Sequence, residues 1–120
     1  MDIKSRKELK ESYKQQKFRS GVFRIMNRKN GKFFIGSSRD LEAKWRAQEF
    51  QLNMGSHQNT LLQQEWKVYG PENFVYEILE EIKKDDVIAM DEQRMLKNLE
   101  KKYLDQFQPF HPIGYHIRKL

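Results

Sequence analysis

Gly21-Val22-Phe23-Arg24-Ile25-Met26-Asn27-Arg28-Lys29-Asn30-Gly31-Lys32-Phe33-Phe34-Ile35-Gly36 decides the fold of this chain, because it sets two β-prone runs around a turn. Residues 21–26 and 32–37 are rich in aromatic and β-branched side chains. Asn30-Gly31 between them is a strong hairpin signal, since both residues tolerate the positive φ of a tight turn. With Asn30 and Gly31 as a two-residue loop, Phe34 faces Asn27 and Gly36 faces Ile25. Strand alternation then puts Phe23, Ile25, Phe34 and Gly36 on one face, and Val22, Met26, Phe33 and Ile35 on the other.

Downstream, Asp40 or Ser38 can cap a helix running to about Leu52, with Leu41, Trp45 and Leu52 at helical spacing and Asn53-Met54-Gly55 ending it. A second helix starts at Asn59-Thr60, carries Leu62, Trp66 and Tyr69, and stops at Gly70-Pro71. Both tryptophans read as core. Residues 74–79 form a third strand, and residues 87–106 a longer helix with Met95, Leu99 and Tyr103 as its apolar stripe. The pattern predicts an α+β fold: a small antiparallel sheet of three strands flanked by helices. No internal repeat or low-complexity segment interrupts it.

Upstream, residues 1–19 are expected to form a basic arm, helical because it has helix formers and neither Gly nor Pro, ahead of a domain spanning residues 20–120. The first 20 residues hold seven basic and three acidic side chains, and so four of the six net positive charges of the 120-residue chain. Such a balance suits an anionic partner, with nucleic acid foremost and a solvated surface as the plain alternative. Absence of cysteine excludes disulfides, thiolate metal sites and cysteine catalysis. The polar start offers no signal-peptide core, and no apolar run approaches the ~20 residues of a membrane span, so a cytoplasmic protein without membrane contact is expected.

Gly21-Val22-Phe23 and Phe34-Ile35-Gly36 resemble the paired motif of the GIY-YIG nucleases, with phenylalanine at both tyrosine positions. The resemblance runs from about Ser20 to Ile117. Gly36-Ser37-Ser38 and the Trp45 helix are similar to the segment after the second motif, and Ser56-His57-Gln58-Asn59 to a central His-x-Asn element. Tyr69-Gly70-Pro71-Glu72-Asn73-Phe74 and Ile78-Leu79-Glu80-Glu81 follow the family's order. Leu99-Glu100-Lys101-Lys102-Tyr103-Leu104 resembles its metal-binding helix, and Gly114-Tyr115-His116-Ile117 its Gly-Tyr-Asn-Ile ending.

The resemblance implies hydrolysis of a DNA phosphodiester with one divalent metal, Mg²⁺ or Mn²⁺, held by Glu100. One carboxylate suffices for a hard cation that keeps most of its waters; the plainer reading makes Glu100 a solvated helix carboxylate. Phe23 and Phe34 lack the O–H that would accept or relay a proton, so both pack. Lys44 stands at the family arginine and keeps the charge without the bidentate fork. Gln48 replaces a histidine and cannot exchange protons at neutral pH, whereas His57 can titrate. His111 and His116 have no such motif support. Candidate nucleic-acid contacts are Lys7, Lys10, Lys14 and Lys17 of the arm, with Arg39, Lys44 and Asn59. Two functions follow: an endonuclease weakened by the Tyr→Phe and Arg→Lys changes, with His57, Lys44 or water replacing the phenols, and an inactive nucleic-acid-binding module on the same fold.

Overall fold

A computed structural model of the chain describes residues 18–83 and 91–118. The helical arm expected at residues 1–19 lies outside them apart from Phe18 and Arg19, which are in no regular element. Strands β1 (Gly21–Asn27), β2 (Phe33–Ser38) and β3 (Phe74–Glu81) form one antiparallel sheet in the order β2-β1-β3. Helices α1 (Leu41–Met54) and α2 (Thr60–Tyr69) lie between β2 and β3 in the chain, and α3 (Glu92–Phe107) follows the sheet. The three-stranded α+β architecture is the one expected. The start of the last helix expected at residues 87–90 lies outside the described residues.

The hairpin differs from expectation by two residues. Phe23 faces Gly36, Ile25 faces Phe34 and Met26 faces Phe33. The cause is Asn27, whose Oδ1 accepts the Lys29 N–H at 2.9 Å and whose C=O accepts the Gly31 N–H at 2.8 Å, so the chain begins to turn before Asn30. Gly31 closes this longer loop at φ 76°. Because side chains alternate with period two, a slip of two residues returns every one of them to its original face. Phe23, Ile25, Phe34 and Gly36 therefore still share one side.

That side carries the core. Phe23, Ile25, Leu41, Leu52, Leu62, Trp66, Phe74 and Tyr115 are buried together, each apolar side chain contributing on the order of 1.5–3 kcal/mol. Trp66 is core as expected, while Trp45 is half-buried, stacked on Tyr76 with centroids 4.9 Å apart; Tyr69 is exposed. On the opposite face α3 covers β2 and β1, with Phe107 edge-on to Phe33 at 5.6 Å. Its deepest apolar residue is Leu96, and the expected stripe of Met95, Leu99 and Tyr103 is only half-buried, since one flank of α3 faces solvent.

The helix ends follow local chemistry. Asp40 accepts the Ala43 N–H to start α1, and Gly55 at φ 78° ends it; Asn59 accepts the Leu62 N–H to start α2. Gly36 has a different reason: a Cβ there would lie 2.5 Å from Cζ of Phe23, so only glycine lets that ring cross to β2.

Candidate active site

A cavity of about 440 Å³ opens beside β2, lined among others by Phe23, Phe34, Gly36, Ser37, Lys44, Gln48, His57, Asn59, Glu100 and His116. Of the expected site residues it gathers Phe23, Phe34, Lys44, Gln48, His57, Asn59 and Glu100. Arg39 lies outside it in an adjoining hollow, and Lys7, Lys10, Lys14 and Lys17 lie outside the described residues. β2 is an edge strand, so α1 on one face and α3 on the other can both reach over its open side.

Glu100 on α3 accepts the Ser37 hydroxyl at 3.0 Å, a bond that aims its carboxylate at the β2 edge and, among the described residues, leaves most of its acceptor capacity unused. No cluster of three or more His, Cys, Asp or Glu side chains forms a metal cage among the described residues. A lone carboxylate in a roomy polar cavity fits a hard cation that retains its waters, and does not fit structural zinc.

Phe23 and Phe34 differ in access. Phe23 is wholly buried, its ring 5.1 Å from that of Tyr76, whereas Phe34 is half-buried. The Tyr76 phenol is not a substitute for the missing hydroxyls: it donates to the Leu41 carbonyl at 2.8 Å, and burial pushes its pKa up to about 12.

His57 is held as the neutral Nε2–H tautomer. Its Nδ1 accepts the Asn59 N–H at 3.0 Å, so Nε2 carries the proton and donates to Gln48 Oε1. Burial, then the positive charge of Lys44, lowers its pKa. Both ring nitrogens are thus engaged, and the Gln48 carbonyl serves as the acceptor. Asn59 is engaged at both ends too, capping α2 with Oδ1 and donating from Nδ2 to the Tyr115 carbonyl at 2.9 Å.

His116 escapes motif-based reading and is the main addition. It accepts the Ile35 N–H at Nε2, 2.8 Å away, and lies flat on Phe34 with centroids 4.9 Å apart and planes 3° from parallel. Its remaining nitrogen, Nδ1, therefore bears the proton, and burial lowers its pKa. The signal was present in the Gly-Tyr-His-Ile ending, where histidine occupies the family asparagine position. His111 is exposed and does not line the cavity.

A sheet flanked by helices, with one open strand edge facing a helix carboxylate, a lysine and a neutral imidazole, defines the class, and the chain belongs to the GIY-YIG family: the model of the GIY-YIG catalytic domain matches residues 19–113. Among curated proteins it is similar to intron-associated endonuclease 1 of Enterobacteria phage T4, 34% identical over 85 residues. That match covers 70% of this chain and 34% of the relative, so the chain spans about a third of that protein's length. Among solved structures it is similar to the catalytic domain of homing endonuclease I-TevI, with a TM-score of 0.70 and 28% identity over 83% of this chain and 99% of that one. A mutant form of the catalytic domain of intron endonuclease I-TevI aligns with a TM-score of 0.56 and 30% identity, covering 86% and 97%. Among the described residues, no helix is long and apolar enough to cross a membrane.

Proposed function

We propose that this chain is a GIY-YIG endonuclease domain that hydrolyses a DNA phosphodiester in the Glu100 cavity, more slowly than a member with both motif tyrosines. The observation that carries the reading is the meeting of Glu100, Lys44, the Gly36-Ser37 edge and the motif phenylalanines in one cavity. Lys44 meets phosphate as a point charge, without the planar fork that would orient it. Ser37 aims the Glu100 carboxylate, and the Gln48–His57 pair forms a fixed polar wall. A divalent cation, Mg²⁺ or Mn²⁺, bound at Glu100 would supply Lewis-acid stabilisation of charge on the phosphate. Proton removal is the weak step. Phe23 and Phe34 have no hydroxyl, and His57 gains a proton only by losing the Asn59 N–H bond. Loss of one positioned general base slows a reaction by roughly 10²–10⁴.

That same deficiency favours the second reading, a DNA-binding module without turnover. Cleavage of plasmid and branched DNA with Mg²⁺ or Mn²⁺ separates the two. The endonuclease reading expects slow cutting by the unaltered chain, loss of at least about a hundredfold in Glu100→Ala, and a gain in the triple variant Phe23→Tyr, Phe34→Tyr, Lys44→Arg. No cutting by the unaltered chain or by the folded triple variant leaves the binding module as the function.

A further inference from the structure

A second hollow of about 370 Å³ adjoins the cavity, lined by Ser37, Ser38, Arg39, Gln93, Leu96, Lys97 and Glu100. Ser37 and Glu100 line both spaces, so their hydrogen bond is the ridge between them. Beyond the ridge the chemistry is basic. Lys97 lies one turn before Glu100 on α3 and is exposed, with no ion-pair partner among the described residues. Arg39 is 60% exposed yet held through Nε by Glu92, whose side chain is only 1% exposed.

That ion pair is unusual for a surface arginine. Burying a carboxylate costs desolvation, and an exposed arginine returns only part of it, so this contact by itself is weak evidence of a role in stability. What it does fix is direction. Binding at Nε leaves the two terminal amines, with four of the five guanidinium N–H donors, for another acceptor. A carboxylate on α3 thus orients an arginine from the β2–α1 connection beside the ridge.

We infer that the hollow of Ser38, Arg39, Gln93 and Lys97 binds a second phosphate of the DNA backbone, next along the strand from the phosphate at Glu100. Arg39 is its oriented contact, Lys97 its mobile one, and Glu92 a positioning residue that never touches DNA. The inference rests on the DNA reading above and extends the binding surface past the catalytic ridge.

The test is equilibrium binding of the full chain to a fluorescent mixed-sequence duplex, by anisotropy, across a range of salt concentrations. Arg39→Gln and Lys97→Gln should each weaken binding about three- to tenfold near 0.1 M salt and lower the salt-dependence slope by about one. Lys67→Gln, an equal charge loss on α2 away from both hollows, should change affinity less than about twofold. Glu92→Met gives the sharpest result, because it removes the acceptor of the Arg39 Nε–H while raising net charge by one. General attraction predicts tighter binding; an oriented Arg39 predicts weaker binding than by the unaltered chain, in a variant that still unfolds cooperatively. Should Glu92→Met fail to fold, the exposed Lys97→Gln decides. Arg39 and Lys97 variants no weaker than Lys67→Gln overturn the inference alone. No binding by the unaltered chain overturns it together with the DNA reading.

Discussion

The two ends of β2 each meet a glutamate, and the two carboxylates are used in opposite ways. At the Lys32 end, Glu65 of α2 accepts from Asn27 and Asn30 at 3.0 and 2.7 Å, from the Tyr115 hydroxyl at 2.7 Å and from Lys32 at 3.2 Å. At the Ser37 end, Glu100 accepts one hydroxyl among the described residues. A carboxylate has about four acceptor sites, so Glu65 is saturated by the protein and Glu100 is not. Saturation makes a clamp, here tying the hairpin loop and the C-terminal segment to α2. Unused capacity makes a site that a cation or its waters can occupy. Adjacent residues serve the two ends, with the Tyr115 hydroxyl on Glu65 and the His116 ring in the cavity.

The largest effect expected from this contrast is on stability. Glu65→Ala should cost about 2–4 kcal/mol and lower the melting temperature by roughly 10 °C, because it strands the buried Tyr115 hydroxyl and Asn27 amide. Glu100→Ala should stay within about 0.5 kcal/mol of the parent. Thermal and urea melts of the two variants side by side check this, and equal losses would erase the distinction between clamp and site.

A smaller difference is expected between the motif phenylalanines. Phe23→Tyr puts a hydroxyl into a fully buried position under Gly36 and should cost about 1–3 kcal/mol unless it finds a partner. Phe34→Tyr, half-exposed to the cavity, should cost less than about 0.5 kcal/mol. Urea midpoints read both; a neutral Phe23→Tyr would mean that the cavity floor is wetter than its burial implies.

Acid should separate the ends by pH, with the smallest effects of the series. Burial pushes the Glu65 carboxyl up, but the bonds from Asn30, Tyr115, Lys32 and Asn27 outweigh it and hold its pKa below the usual range. Its contribution is therefore present above the unfolded value of about 4.3 and lost as pH falls through the lower folded value. The imidazoles of His57 and His116 are also lowered, so the unfolded chain takes up protons first, and their contribution starts to fade as pH drops below about 6.5. Stability against pH should then fall in two windows, the upper removed by combining His57→Gln with His116→Asn, the lower by Glu65→Gln. Each lowered group gives a slope of at most about 1.4 kcal/mol per pH unit. A single acid transition, untouched by the histidine changes, would show that the cavity imidazoles are not held neutral by the fold.

Much of the fold was legible in sequence because its signals are local. Caps at Asp40 and Asn59, the stop at Gly55 and the face shared by Phe23, Ile25, Phe34 and Gly36 depend on neighbours within a few residues. Even the hairpin slip spared the faces, since it was an even number of residues. Motif spacing likewise brought Glu100, Lys44 and His57 forward as candidates. Their state was not legible: the His57 tautomer depends on Gln48 and Asn59, and the cavity place of His116 on an Ile35 amide 81 residues earlier.

Composition and periodicity by themselves determined a basic α+β chain, and the order of its motifs a resemblance to the GIY-YIG nucleases without the motif phenols. Only the tertiary structure decided which carboxylate is saturated and which accepts a single hydroxyl among the described residues, that both cavity imidazoles accept a backbone N–H, and that Arg39 is held by a buried Glu92. The physical reason is one of range. Helix periods, caps and turns are set by groups a few residues apart, whereas hydrogen-bond saturation and proton position are set by whatever packing brings within about 3 Å, which no local pattern records.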